Sequence, residues 1–177
     1  LSLHDALPIY KDIEVITNLG VSIECNTCMG RDITVESLMA DGYDAVFLGL
    51  GAHRGIELGI PGESLDGVRQ GVDFLRELNL TGTTRVGKKV GIIGGGNVAI
   101  DVARSAVRLG ADEVTLFYRR TRKEMPAWEE EICAAEEEGV KIEYLAAPQQ
   151  VIGENDNVKA VRIIKMELGE PDVSGRR

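Results

Sequence analysis

An α/β fold built on a parallel sheet is predicted by three features of this chain. A short apolar strand, Lys89 to Ile93, runs into the glycine turn Gly94-Gly95-Gly96. An amphipathic helix follows from Asn97 to Leu109, with Ala99, Val102, Ala103, Ala106 and Val107 on its inner side. After Gly110 a second apolar strand returns, Val114 to Tyr118. Strand, helix and strand within ~30 residues make a βαβ unit, whose strands lie parallel.

The remaining elements follow in chain order. Leu1 to Ile9, LSLHDALPI, reads on back-translation like the end of a common short-read sequencing adapter. Residues 1–9 are therefore expected to be non-native, with the native chain starting near Tyr10. Ile13, Ile16 and Leu19 recur at helical spacing, and Gly20 supplies a stop. Val21 to Glu24 alternates as a short strand does. Thr34 can cap a helix through Met39, ended by Asp41-Gly42, and Ala45 to Leu48 reads as a buried strand running into Gly49-Leu50-Gly51-Ala52.

Gly55, Gly59, Pro61 and Gly62 punctuate a connection between lobes, followed by a helix from Gly71 to Leu80 with Val72, Phe74, Leu75 and Leu78 facing a core. Past the βαβ unit, Pro126 is expected to open a Glu-rich helix through Glu138. Val140 to Leu145 then forms a strand, and Val151-Ile152 pairs with Val158 to Glu167 across a turn at Glu154 to Asn157. The expected organisation is thus residues 10–55 as part of one lobe, 56–87 as connection and helix, and 88–177 as a second lobe. The polar end at Ser174 to Arg177 has no closing element, so the chain is expected to be an internal fragment.

Composition narrows the function. With 44% hydrophobic and 28% charged residues the 177-residue chain is globular in character. A net charge of -9 argues against a nucleic-acid surface. No apolar run approaches the ~18 residues that span a bilayer. Three cysteines make no even framework and no secretory signal is evident, so a reducing cytoplasm is the expected compartment. Two histidines are too few for a histidine-rich metal site.

The glycine turn carries chemistry. Gly94-Gly95-Gly96-Asn97-Val98-Ala99 fits G-x-G-x-x-A between strand and helix. Gly94 permits the tight turn, Gly96 lets backbone approach a pyrophosphate, and Ala99 keeps helix and strand close. The helix N-terminus aims unpaired N–H groups at the phosphates. A Rossmann-like dinucleotide site is therefore expected at residues 94–99.

Coenzyme choice is set ~20 residues on, where an NAD site places Asp or Glu on the ribose 2′-hydroxyl. Here Tyr118-Arg119-Arg120 stands at that point, followed by Arg122. Guanidinium groups bind a 2′-phosphate that a carboxylate would repel. NADPH is the expected ligand, with Arg119 and Arg120 as first candidates and Arg122 as a third. A solvated basic loop is the plain alternative, and its placement at the specificity position weighs against it.

Several blocks together resemble the small (beta) subunit of NADPH-dependent glutamate synthase and its relatives. They are Tyr43 to Leu48 with Gly49 to Ala52; Gly59-Ile60-Pro61-Gly62-Glu63; Gly94 to Asp101; Tyr118 to Arg122; Glu124-Met125-Pro126-Ala127; and Met166 to Asp172 running into Ser174 to Arg177. Similar modules occur in dihydropyrimidine dehydrogenase and electron-bifurcating ferredoxin:NADP oxidoreductases. The resemblance implies an NADPH domain inserted into an FAD-binding lobe, with residues 10–55 the tail of the first FAD segment and Gly49, Gly51 and Ala52 near the flavin. It implies FAD in the intact protein and iron–sulfur clusters in the parent but not in this fragment. It also implies hydride transfer from NADPH to the flavin, and a partner electron-transfer subunit such as the glutamate synthase large subunit. Alternatives are the NADPH-input subunit of a ferredoxin:NADP or other flavin/iron–sulfur oxidoreductase, and a non-catalytic NADPH-binding module. No catalytic acid or base is assigned, because the cofactors carry the chemistry.

Other features are expected to be structural. Cys25-Asn26-Thr27-Cys28 has redox-motif spacing but falls at a strand end outside the NADPH lobe. Cys133 reads as a packed small residue, and Glu129 to Glu131 with Glu136 to Glu138 as a solvated helix face. Trp128 could stack on an adenine, with burial or an interlobe contact ahead of it.

Overall fold

A computed structural model describes the backbone of residues 3–170 and the side chains of residues 10–170. The quoted residues Pro171, Asp172 and Ser174 to Arg177 lie outside that range. The chain divides into two units, Leu1–Leu50 and Gly51–Arg177.

In the first unit, α1 spans Leu3–Asn18, starting within residues 1–9 and ahead of the helix expected from Lys11. Helix α2, Val35–Ala40, is capped as its sequence predicts. The Thr34 hydroxyl accepts from the Ser37 N–H at 3.1 Å, and the Ser37 hydroxyl accepts from the Thr34 N–H at 3.0 Å. The strands expected at Val21 to Glu24 and Ala45 to Leu48 do not form. A strand exists only where a neighbour takes its N–H and C=O groups. Among the described residues of this unit, an isolated bridge between Met29 and Ile33 is the sole β pairing.

The second unit holds the predicted parallel sheet. Its strands are β1 (Lys89–Ile93), β2 (Glu113–Tyr118) and β3 (Lys141–Tyr144), in spatial order β1-β2-β3. Ile92 sits opposite Leu116, and Leu116 opposite Ile142. Helix α4 (Asn97–Arg108) carries the chain from β1 to β2, and α5 (Glu129–Glu137) from β2 to β3. Alanines at 99, 103 and 106 let α4 lie close over the strands, and Ile100, Leu116 and Ile132 are fully buried there. Ile100 belongs to this inner face, whereas Val107 is only partly buried.

Helix α3 (Gly71–Thr81) packs on α4: a Cβ on Gly71 would sit 3.2 Å from both Val98 and Val102. Its Phe74 is buried beneath the Arg69 guanidinium, 5.5 Å from the ring centroid. Helix α5 starts at Glu129 rather than Pro126, because the Ala127 N–H is drawn onto the Gly95 carbonyl at 3.1 Å and holds that stretch extended.

The hairpin is longer than its apolar residues suggest, with β4 at Ala146–Glu154 and β5 at Asn157–Lys165. Asn155 and Asp156 at its tip both have positive φ, the conformation that suits a two-residue turn to the twist of its strands. A register shift between Pro148 and Gln150 absorbs the proline. The Gly59 to Glu63 connection is stitched to this hairpin. The Glu63 carboxylate accepts from the N–H groups of Leu58 and Gly59 at 2.7 and 2.8 Å, and the Val151 N–H donates to the Pro61 carbonyl at 2.8 Å. Gly62, at φ +83°, passes so close to the Val151 carbonyl that a Cβ would sit 2.1 Å from its oxygen.

Glu138 closes α5 onto α4. It accepts from Arg104 at 2.9 and 3.1 Å and from Arg108 at 2.7 Å. The Arg104 hydrogen bonds, then those of Arg108, hold its carboxyl below the ordinary carboxylate range. A carboxyl lowered on folding stabilises above its unfolded pKa, and that contribution disappears as pH falls through the folded value. In denaturant titrations Glu138→Gln should therefore be less stable than the parent at neutral pH, and the gap should narrow below the carboxylate range. A gap independent of pH would show that the ion pairs are not its source.

Candidate nucleotide-binding site

The strand ends and the glycine turn converge on one edge of the sheet. Gly94 has φ +139°, which a residue with a side chain rarely adopts, and its N–H donates to the Phe117 carbonyl at 3.1 Å. Gly95 lies flat against Tyr118: a Cβ there would fall 2.5 Å from the ring. That ring is buried, and its hydroxyl donates to the Glu124 carbonyl at 2.6 Å. Gly96 is the N-cap of α4 and offers no side-chain cap, so the N–H groups of the first turn lack the partner a Ser or Asp would give them. A Cβ on Gly96 would meet nothing nearer than Pro126 at 3.9 Å, leaving its approach open.

Asn97 and Val98 begin α4, and Ala99 is buried beneath the turn, 3.4 Å from where a Gly94 Cβ would lie. The Asn97 side-chain oxygen accepts from the Trp128 N–H at 3.2 Å. Trp128 is not buried as expected, since the residue is 68% exposed beside this turn. The extended path of Pro126 to Trp128 fixes its backbone and leaves the ring outward.

A cleft of about 330 Å³ opens at the carboxyl ends of the strands. Its lining includes Ile93 and Gly94 from β1, Phe117 to Arg119 from β2, and Ala146 to Pro148 from β4. Leu58 and Ile60 of the connection complete it. Ligands of open α/β sheets bind at such strand ends. A second cavity of about 220 Å³ is lined by Arg119, Arg120, Met166, Glu167 and Leu168. Arg119 borders both. Among the described residues neither Arg119 nor Arg120 makes a salt bridge, although the Arg120 carbonyl accepts from the Leu145 N–H at 3.0 Å.

Arg122 is placed differently. Its guanidinium donates to Glu129 at 2.8 and 2.9 Å and to both carboxylate oxygens of Glu136 at 2.7 Å. It also lies 3.4 Å from the Tyr144 hydroxyl and 3.3 Å from the Cys133 sulfur. These hydrogen bonds, to Glu136 first and then Glu129, raise its pKa, and the bond from Arg122 lowers that of Glu129. Glu129 and Glu136 are therefore not merely solvated. Cys133 is exposed beside the guanidinium rather than packed, because it falls on the α5 face that turns to Arg122.

The sequence reading missed the walls of the two cavities. Ile60 and Met166 to Leu168 belong to recognisable blocks and Leu58 adjoins one, but nothing in their residue types signals a site. Ala146 to Pro148 are too small and plain to stand out. Gly49, Gly51 and Ala52 are exposed and divided between the two units. Cys25 and Cys28 are exposed free thiols. Among the described residues, no group of metal-ligating side chains gathers and no helix is long and apolar enough to cross a membrane.

Comparison with known proteins bears on this site. The family model for pyridine nucleotide-disulphide oxidoreductases matches residues 7–173. The chain is 48% identical over 171 residues to the beta subunit of an NADPH-Fe(3+) oxidoreductase of Geobacter sulfurreducens, covering 94% of this chain and 25% of that protein. It is 48% identical over 169 residues to the beta subunit of the NADP(+)-dependent formate dehydrogenase of Moorella thermoacetica, covering 94% and 24%. It is 38% identical over 176 residues to the glutamate synthase [NADPH] small chain of Escherichia coli, covering 93% and 37%. The chain thus spans roughly a quarter to two fifths of these relatives. In fold it is similar to the thioredoxin reductase of Streptococcus pyogenes, with a TM-score of 0.51 at 22% identity over 66% of this chain and 36% of that one.

Adjacent glycines in the turn should respond differently to the same substitution. Gly95→Ala pushes a methyl into a pinned aromatic ring and should cost about 1–3 kcal/mol of stability, as overpacking does. Gly96→Ala meets open space, so its unfolding midpoint should stay near the parent value while dinucleotide affinity falls. Thermal melts with and without nucleotide separate the two, and an equal stability loss in both variants would contradict this geometry.

Proposed function

Because this chain belongs to the pyridine nucleotide-disulphide oxidoreductase family, we propose that its second unit binds NADPH and feeds electrons into an FAD-linked oxidoreductase. One observation carries the coenzyme choice. Among the described residues Arg119 and Arg120 have no ion-pair partner, and they stand at the end of β2, beside the uncapped turn, where an NAD site would hold a carboxylate. The pyrophosphate is assigned to the N–H groups of residues 95–98 with Gly94 forming the turn, and the 2′-phosphate to Arg119 and Arg120. The open face of Gly96 and the missing cap suit a phosphate, which would supply the acceptor that no side chain supplies.

The protein's part in the reaction is placement. The glycine turn fixes the diphosphate, the arginines select the phosphorylated coenzyme, and the strand-end cleft receives the ligand. FAD, if bound, would supply the acceptor for a hydride from the nicotinamide. Its assignment to Gly49, Gly51 and Ala52 rests on family resemblance, as does an iron–sulfur cluster in the parent protein.

The relatives are named as subunits, which supports a partner electron-transfer subunit for this protein as well. Identity is higher to the Fe(3+) oxidoreductase and formate dehydrogenase subunits than to the glutamate synthase small chain. That difference favours an acceptor subunit other than the glutamate synthase large subunit. The absence of an apolar spanning helix among the described residues is consistent with work in the cytoplasm.

Replacing Arg119 and Arg120 together by Ala should weaken NADPH binding by about 2–5 kcal/mol, the range for truncating a desolvated charge contact, and NADH binding far less. Equilibrium titration with both nucleotides measures this, and equal losses would refute the assignment. Purified full-length protein is expected to be yellow and to bleach when NADPH is added anaerobically. A colourless protein that still binds NADPH would point to a non-catalytic module instead.

A further inference from the structure

We propose that Arg122 is a positioning residue for coenzyme selection: it braces the loop that presents Arg119 and Arg120, and it does not itself bind the 2′-phosphate. The inference rests on the NADPH reading above and assigns a role within that site.

Three sets of contacts carry it. The loop is first closed on itself. The Tyr118 hydroxyl donates to the Glu124 carbonyl, and the Thr121 N–H and hydroxyl both donate to the Glu124 carboxylate. Glu124 is held below the ordinary carboxylate range mainly by the Thr121 hydroxyl, so it stays an acceptor at neutral pH. A loop closed this way has a defined shape but is not yet anchored to its neighbours.

Arg122 supplies the anchor. One guanidinium spans two carboxylates a full two turns of α5 apart, Glu129 and Glu136, and reaches Tyr144 on β3. All three of its nitrogens donate to α5 carboxylates. A planar fork can bridge such partners, whereas a lysine ammonium on its flexible stem cannot hold both. The side chain is about one third exposed, so the network is partly shielded from solvent. On the far side, the Leu145 N–H donates to the Arg120 carbonyl, and the Met166 N–H donates to the Leu145 carbonyl at 2.8 Å. Leu145 holds φ +52°, unusual for a branched residue and consistent with a backbone fixed by its surroundings. The loop is thus fastened at Tyr118, at Arg120 and at Arg122, and Arg119, between the first two, borders both cavities.

The brace has an electrostatic side as well. Glu129 and Glu136 lie on the helix that follows the selecting loop, and unpaired they would oppose an incoming phosphate. Arg122 neutralises them in place.

The two possible roles for Arg122 predict opposite signs for one variant. Glu129→Gln/Glu136→Gln removes two negative charges and releases a cation beside the phosphate site. If Arg122 acts by its charge, that variant binds NADPH more tightly. If it acts as a brace, the variant loses at least tenfold in NADPH affinity while NADH affinity changes less than twofold. Arg122→Lys keeps the charge and should show the same selective loss. Both are to be measured by nucleotide titration on the full-length protein, beside its unfolding midpoint and the Arg119→Ala/Arg120→Ala variant. Tighter NADPH binding by the double glutamine variant, or a parental NADPH:NADH ratio in Arg122→Lys, overturns the brace. If the Arg119→Ala/Arg120→Ala variant shows no NADPH-selective loss, it is the coenzyme assignment that fails.

Discussion

The contact on which the candidate site depends is the approach of the Gly95 backbone to the face of Tyr118. It joins the turn after β1 to the end of β2 with no side chain between them. Tyr118 cannot retreat, being buried and tied through its hydroxyl to Glu124. On the other side of the turn, the Ala127 N–H holds the Gly95 carbonyl. The glycine is therefore clamped between β2 and the segment leading into α5. That clamp sets the spacing between the uncapped start of α4 and the arginines that follow Tyr118, and a dinucleotide spanning both needs that spacing fixed in advance.

Burial beneath the turn makes the clamp rigid. Ile100, Ala103 and Ala106 of α4 lie against Leu116 and Val114, and α5 closes the same layer with Ile132 and Ala135. Interiors packed at this density yield little, so a displacement at the helix start would have to move the sheet as well. The ion pairs are placed around this core rather than within it. Glu138 ties α5 to α4, and Glu113 bridges Lys89 and Lys141 across the lower ends of the three strands. Such exposed pairs add little to stability individually. Their positions restrict sliding between elements that the apolar contacts alone would permit.

Much of this was legible in the sequence because the βαβ unit satisfies its own backbone. Lys89 to Ile93 and Val114 to Tyr118 are each other's partners, so their apolar runs could be read as strands and were observed as strands. Val21 to Glu24 and Ala45 to Leu48 have equally good patterns but no partner among the described residues of their unit, and they stay irregular. Local pattern reports willingness to pair, not the presence of a neighbour. The start of β4 was hidden for a different reason. Leu145 turns the chain in the left-handed region and Pro148 sits inside the strand, both of which read as breaks until the register shift accommodates them. Trp128 was misplaced because it lies on the extended stretch ahead of α5, and Cys133 because it shares the α5 face that turns to Arg122. Arg122 was indistinguishable from Arg119 and Arg120 by residue type. Its separate role is set by Glu129 and Glu136, seven and fourteen positions away on α5.

Assigning an anionic coenzyme to an acidic chain, as proposed above, raises an electrostatic difficulty that the same arrangement resolves. With a net charge of -9, the mean field repels phosphate. At physiological salt, however, exposed charges beyond about 8 Å are largely screened, so the local balance governs binding. Close to the site Glu124 is occupied by Thr121, and Glu129 and Glu136 by Arg122, while Glu167 lines the smaller cavity with the two arginines. Arg119 and Arg120 are left as cations without partners among the described residues, next to a helix start whose N–H groups also carry positive character. Pairing Glu129 and Glu136 with Arg122 keeps two arginines available to a phosphate, and it is on that unequal distribution, more than on the number of basic residues, that the proposed coenzyme choice rests.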